Sequence, residues 1–431
     1  MKDGAFVLAD APGLAEISEP RESALGKWCV GLSSRTHCRT SARVGWQVVA
    51  HLLSIARKAA KGLSARRRWE EWMRFTMLAA ALLFSFSAVA QTPAGYPADY
   101  AQTIEAAKKE GKLIIYATTD AVAATPLVKD FEALYPGISV EYSDLNSTEV
   151  YNRFISESAA GSTADLIWSS AMDLQVKLVS DGKALTYASP EIPNLPKWAV
   201  WKNEAYGTTY EPIAFVYNKR LVPAADVPQT HADLEKLLAA KPDFYKGKVT
   251  AYDPERSGVG YLFVNEDVKN WPDAWNLFRE FGKTSIRLYT SAGAMMERVG
   301  SGEHLLGYGI FGSYALGRAK KDPGLGIVLP KDYTLITSRV AFISKQAKNP
   351  NAAKLFLDYM LSKRGQTVIA NQALLYSLRD DVDGPASAKK VREEVGDKAR
   401  PVEIGSSLLE NLDQMTRLAF LKKWQAAMKG Q

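Results

Sequence analysis

From residue 99 onward, short apolar runs alternate with stretches of helical periodicity, and this alternation leaves few folds open. Residues 99–110 place Ala101, Ile104 and Ala107 on one helical face and end at Gly111. The run 113–117 (LIIYA) is apolar throughout, as a strand covered on both faces requires. A helix is predicted over 121–135, stopped by Pro136 and Gly137, and a strand over 138–142. Asn146 or Ser147 caps the next helix, with Glu149 placed for a capping box on Asn146. A strand over 164–168 and a helix reaching Val179 follow. This β-α-β-α-β order predicts an α/β fold with a doubly wound sheet and right-handed crossovers.

The segment 207–218 (GTTYEPIAFVYN) favours a long strand through its Tyr, Ile, Phe and Val content. The alternation then restarts. Thr230 with Asp233 opens a helix to Ala240, and strands are predicted over 248–252, 284–289, 305–310 and 326–329. Helices are expected at 259–266, 272–281, from Thr290 and Ser291 to Val299, and near 313–320. A second extended segment, 333–343, precedes a helix opened by Asn349 and Pro350 and running to Leu361; the tail 387–429 reads as largely helical. Two α/β blocks joined by extended crossing strands predict two lobes that close on a ligand by hinge motion. The expected partition is 91–209 with about 334–375 in one lobe, and 210–333 with about 376–431 in the other.

Residues 73–91 (MRFTMLAAALLFSFSAVAQ) have the plan of a secretory signal peptide. Arg74 is the positive end, 75–86 the uncharged apolar run, and Ala88-Val89-Ala90 the small-residue cleavage site. Residues 73–90 are therefore expected to direct export to the periplasm, either cleaved or kept as an anchor. Residues 1–72 are expected to be an unstructured or spurious extension; a Cys29/His37/Cys38 clip lacks the second cluster that a zinc site needs. Residues 1–90 hold 13 of the 54 basic and 7 of the 47 acidic residues, which leaves 41 and 40 and a formal charge of +1 for 91–431. No basic cluster marks nucleic-acid binding there. Both cysteines lie upstream, so the exported part has no disulfide and no cysteine metal site.

Ligand sites in open α/β sheets lie at the carboxyl ends of strands and between lobes. Those ends read Thr118, Thr119 and Asp120; Ser169 and Ser170; 253–260 with Ser257 and Gly258; and Thr290 and Ser291. Each lies at a helix start, where free N–H groups and the helix dipole favour anions, although the same residue types are ordinary N-caps. Arg339, on the second crossing segment, is placed to pair with a carboxylate or phosphate, or to sit on an exposed strand edge. Tyr210 and Glu211 lie on the first crossing segment, where Glu211 could meet an amino group or form a hinge salt bridge. His231 is expected at the surface, and His304 is at best a weak metal candidate.

The stretches 110–120 (EGKLIIYATTD), 164–170 (ADLIWSS), 215–222 (FVYNKRLV), 245–261 (YKGKVTAYDPERSGVGY), 301–309 (SGEHLLGYG) and 347–366 (AKNPNAAKLFLDYMLSKRGQ) carry a resemblance over about 98–383. The chain resembles the periplasmic solute-binding proteins of ABC importers, in the branch with ferric-iron, phosphonate and sugar-phosphate binders. The resemblance implies a type II two-lobe fold, no catalysis, no cofactor, and delivery of a small-molecule ligand to an ABC permease with its ATPase by a monomer. Ferric members place adjacent tyrosines after the strand that follows Gly302-Glu303. Here those positions fall near Gly312 and Ser313, with Tyr308 and Tyr314 flanking them. Oxygen donors suit a hard cation, so the missing pair argues against direct iron binding. It leaves a small anion, such as a phosphonate, phosphate ester or carboxylate, as the expected ligand, with ferric iron or an iron chelate as the alternative. Arg379, in YSLR, occupies a loop that reaches the cleft in similar proteins.

An α/β hydrolase is the rival from another class. Glu255 stands where a nucleophile elbow around Ser257 needs glycine, and no histidine follows His304. A membrane-anchored sensor domain, held by 75–90, is the other rival. The expected exported form begins at Gln91. Intact-mass or N-terminal sequencing of periplasmic protein should show that terminus, and retention of residues 1–72 would contradict it.

Overall fold

The computed structural model describes Pro93 and residues 95–431. The signal peptide at 73–90, the cleavage site and the extension 1–72 with its cysteines lie outside the described residues. The elements follow the alternation. The helix Tyr100–Glu110 ends at Gly111, whose φ of 68° is the left-handed cap geometry that glycine adopts without a Cβ clash. Strands β1 (Lys112–Ala117), β2 (Ser139–Asp144) and β3 (Leu166–Ser169) alternate with the helices Ala121–Leu134, Ser147–Ala159 and Met172–Ser180. The capping box forms as expected: Glu149 N–H donates to Asn146 Oδ1 at 2.9 Å, and Asn146 N–H to Glu149 Oε2 at 3.1 Å.

The two long extended segments each break in two. The first becomes β5 (Ala205–Gly207), paired with β4 (Val200–Trp201), and then β6 (Glu211–Asn218). After β6 come β7 (Val249–Tyr252), β8 (Arg287–Tyr289), β9 (Leu306–Phe311) and β10 (Leu325–Val328). The second long segment becomes β11 (Thr334–Thr337) and β12 (Val340–Ile343), and β13 (Ala399–Pro401) follows late in the chain.

Strands on either side of each break belong to different sheets. The first sheet has the order β2-β1-β3-β12-β5-β4, and the second β13-β11-β6-β9-β7-β8, with β10 also paired to β6. The crossing therefore falls at Ser338 and Arg339, so 334–337 sits in the second sheet and not with the first as expected from sequence. A chain leaving one twisted sheet for another must interrupt its ladder, and the freed backbone groups need other partners. Thr208 N–H donates to Arg339 O at 3.0 Å, Arg339 N–H to Thr209 Oγ1 at 2.9 Å, and Thr208 and Thr209 N–H to Ser338 Oγ at 3.0 and 3.2 Å. The small hydroxyl residues at the crossing are there to close this account. A third passage runs beside them, where Tyr210 N–H donates to Tyr376 O at 2.8 Å.

Each sheet is covered by helices. Leu113, Ile115, Phe131, Trp168 and Phe356 centre the core of the first lobe, and Phe278, Phe281, Leu306 and Trp424 that of the second. The tail is less helical than its pattern suggests, since a 3-10 turn (Ser406–Leu412) and β13 separate the helices Ala388–Val395 and Gln414–Met428. Pro350 sits in the first turn of the helix Pro350–Leu361, but Asn349 does not cap it. Asn349 instead donates through N–H and Nδ2 to buried Asp165, both at 2.9 Å, while Glu110 accepts from the first-turn N–H of Ala352 at 2.8 Å. Among the described residues no helix is long and apolar enough to cross a membrane.

The capping box gives a direct check. Asn146→Ala should lower unfolding stability by about 1 kcal/mol in urea denaturation, because it strips the acceptor for the Glu149 N–H.

Candidate functional site

The register of the first sheet sets Val340 opposite both Ser169 of β3 and Gly207 of β5. Arg339 thus emerges at the carboxyl end of β3, beside Ser169 and Ser170, and points between the lobes. In the second sheet Glu211 is the register partner of Thr337. The two crossing segments therefore deliver one cation and one anion to the same place. Arg339 Nε donates to Glu211 Oε1 at 2.5 Å, with both side chains at 1% exposure or less. Nη1 donates to Thr119 Oγ1 at 3.0 Å. Among the described residues, buried Nη2 has no hydrogen-bond partner. Ser313 Oγ donates to the second oxygen of Glu211. The guanidinium carbon lies 5.2 Å from the Phe311 ring centre and 5.0 Å from that of Tyr314. Burial alone would push the Arg339 charge down, but Glu211 outweighs it and holds the guanidinium above its ordinary value.

The helix starts from the first lobe complete one wall. Thr118 Oγ1 accepts from Ser170 N–H at 2.9 Å and lies 3.0 Å from Ser170 Oγ, and Ser169 Oγ accepts from Ala171 N–H at 3.2 Å. Asp120, exposed at the rim, accepts from the Tyr314 hydroxyl of the opposite lobe at 3.1 Å and donates its own N–H to it at the same distance. Thr148 Oγ1 donates to Arg256 O across the lobes at 3.2 Å. Gly258 makes the close approach possible, since a Cβ there would stand 2.8 Å from Leu174 Cδ1. Ser257 is spent as the cap of the helix Gly258–Asn270, accepting from Gly260 N–H at 3.2 Å.

Three expected residues lie elsewhere. Tyr210 turns its ring away, 6.1 Å from Trp198 and under the Arg392 guanidinium, because alternate residues beyond the crossing face opposite sides. Tyr308 points to the far side of the second sheet, where its hydroxyl donates to Asp267 at 2.7 Å. Arg379 is tied to Glu191 at 2.5 Å and Asp381 at 2.8 Å, fixing its loop to the first lobe. His231 is also buried, not exposed: its ring stacks 4.1 Å from Tyr333 and Nδ1 lies 3.0 Å from Asp332. His304 is buried beside Tyr289, with Nε2 2.8 Å from its hydroxyl.

Two residues of the cleft carry no signal by motif. Tyr142, on β2, donates to Thr119 O at 2.6 Å. Tyr252, the last residue of β7, is buried near Tyr314, Arg339, Asp120 and Glu211. Its position at a strand end of the second lobe could have marked it. Burial raises all three phenols, Tyr314 to about 12 and Tyr142 and Tyr252 further. Asp144 is raised by desolvation and then by Asp120. Among the described residues, no three His, Cys, Asp or Glu side chains gather where they could hold a metal ion. The site offers one guanidinium edge, several hydroxyls and helix starts, which together suit an anion of a few oxygens.

The ion pair has a testable consequence for stability. Arg339→Leu leaves Glu211 buried alone and should cost about 3–5 kcal/mol in urea unfolding. The double change Arg339→Leu with Glu211→Leu should recover most of that loss.

The family model for bacterial extracellular solute-binding proteins matches residues 126–392. The substrate-binding protein of an ABC transporter from Agrobacterium tumefaciens superposes with a TM-score of 0.71 at 37% identity, covering 74% of this chain and 94% of that one. The periplasmic binding protein AfuA from Actinobacillus pleuropneumoniae, solved with fructose-6-phosphate, shares the fold at a TM-score of 0.61 and 22% identity, over 74% and 98% of the two chains. Iron-bound HitA from Pseudomonas aeruginosa does so at 0.60 and 20%, over 73% and 99%. An uncharacterized Haemophilus influenzae protein is 32% identical over 130 residues, 30% of this chain and only 37% of that relative's length. The chain belongs to the bacterial extracellular solute-binding proteins.

Proposed function

We propose that this protein is the periplasmic substrate-binding component of an ABC importer. It captures a small anionic solute between its lobes and hands it, unchanged, to a membrane permease with its ATPase, acting as a monomer. The observation that carries the reading is the buried Arg339 edge. Among the described residues Nη2 has no partner at 1% exposure, while the same guanidinium holds Thr119 and Glu211, and Ser313 takes the second Glu211 oxygen. A buried donor left unpaired costs about 1–3 kcal/mol, and an oxygen of a phosphonate, phosphate ester or carboxylate would remove that cost. Support also comes from relatives of this fold, one solved with fructose-6-phosphate. The 73–90 stretch supports export.

Bare ferric iron is the second reading, favoured by Tyr142, Tyr252 and Tyr314 near one another and by the iron-bound relative. Two features weigh against it. Burial disfavours the phenolates that would bind the metal, and Arg339 sets a positive charge at the centre. An anionic iron chelate meets neither objection.

A melting screen separates these readings. Phosphonates, phosphate esters, carboxylates and ferric citrate are added one at a time. A true ligand at 100 times its dissociation constant should add about 2.7 kcal/mol of stability. A shift with ferric ion alone would overturn the anion reading.

A further inference from the structure

The helix Met172–Ser180 belongs to the first lobe, and its outward face meets the second. Leu174 packs against Gly258 of the helix Gly258–Asn270, and the 3-10 turn Ser406–Leu412 lies against the helix Met172–Ser180. Asp173 is buried in this contact at 4% exposure, yet it forms no ion pair among the described residues. Among the described residues its side chain accepts only the N–H of the next residue, Leu174, at 2.8 Å. Glu266, on the packed helix Gly258–Asn270 of the second lobe, is a second buried carboxylate at 5% exposure, whose charge disfavours ionisation of Asp173; Lys269 stands 3.7 Å from it.

We propose that closing the lobes seals Asp173 against the second lobe and loads a proton onto its carboxylate, so that acid favours the closed form and neutral to alkaline pH favours opening and release. When the hinge opens, the helices Met172–Ser180 and Gly258–Asn270 separate, Asp173 meets water, and the proton leaves.

The charged and titratable neighbours from each packed element fit this assignment. Glu266 and Tyr261 lie on the helix Gly258–Asn270, Glu410 on the 3-10 turn, and Arg417 on the helix Gln414–Met428. Arg417 is the one cation among them, and it is engaged 4.1 Å over the Tyr261 ring instead of pairing with Asp173. Desolvation is the dominant influence and lifts Asp173 from its ordinary 3.8 to about 7; Arg417 pulls it down and Glu266 pushes it up. The sign follows. A carboxylate raised only in the closed form favours closure fully below its ordinary range. That advantage shrinks about tenfold per pH unit and is spent above about pH 7.

The test reads lobe separation in the full chain without any ligand, so it stands apart from the proposed function. Cys29→Ser and Cys38→Ser remove the native thiols, and dyes are placed through Val122→Cys and Lys320→Cys, one on each lobe. Single-molecule energy transfer then counts closed and open molecules. Between about pH 8.5 and about pH 5.5 the closed-to-open ratio should rise at least about tenfold, and Asp173→Asn should abolish the rise. An unchanged ratio in the parent protein, or a rise retained by Asp173→Asn, overturns the proposal. If the Asn variant does not fold, Glu266→Gln serves instead. Removing the repelling charge should move the midpoint to lower pH, and an unmoved midpoint overturns the proposal.

Discussion

The Arg339–Glu211 pair is the interaction on which the cleft depends. Each partner comes from a different crossing segment, Glu211 from the start of β6 and Arg339 from the link between β11 and β12, and both are withdrawn from water. A buried pair of this kind is weak evidence for stability, because desolvation offsets much of the attraction. Its value here is geometric. It fixes the guanidinium so that Nε faces Glu211, Nη1 faces Thr119, and Nη2 has no partner among the described residues. Phe311 and Tyr314 flank the same group and exclude water from it.

The crossing explains why such a charge can sit there. Two ladders end within three residues of each other, and Ser338, Thr208 and Thr209 take over the hydrogen bonds that the sheets relinquish. A hinge must satisfy its backbone in every state, and short hydroxyl side chains do so without filling the space beside them. Two contacts across the cleft, Tyr314 with Asp120 and Thr148 with Arg256, lie near the surface and use one or two rim hydrogen bonds each. Contacts of that sort are cheap to break, as a binding protein that must open requires.

Much of this was legible in the sequence. The alternation of apolar runs and helical periods located nearly every strand and helix, because both periodicities are set by burial. The Asn146–Glu149 box was readable because it is wholly local. What failed was non-local. The runs 207–218 and 333–343 look continuous, since nothing in a strand-like run announces that it changes sheets. Tyr210 and Tyr308 were misplaced for a related reason: which face a side chain takes depends on strand register, and one residue of slip inverts it. Tyr142 and Tyr252 carry no sequence signal because tyrosine at a strand end is ordinary core material until the opposite lobe is in place. Arg339 and Glu211 were visible as charges in apolar surroundings, which is the feature of a sequence that most repays suspicion.

Whether a small anion completes the Arg339 edge is decided by a structure of the protein with a bound ligand. Protein taken from the periplasm, or supplied with a ligand found by screening, would be crystallised in the closed form. An anionic oxygen is then expected within hydrogen-bond distance of Arg339 Nη2, with Thr118 or Ser170 on the same group and the Glu211 bond kept. A ligand bound elsewhere, or a metal ion held by tyrosines with Nη2 still unpaired, would contradict it.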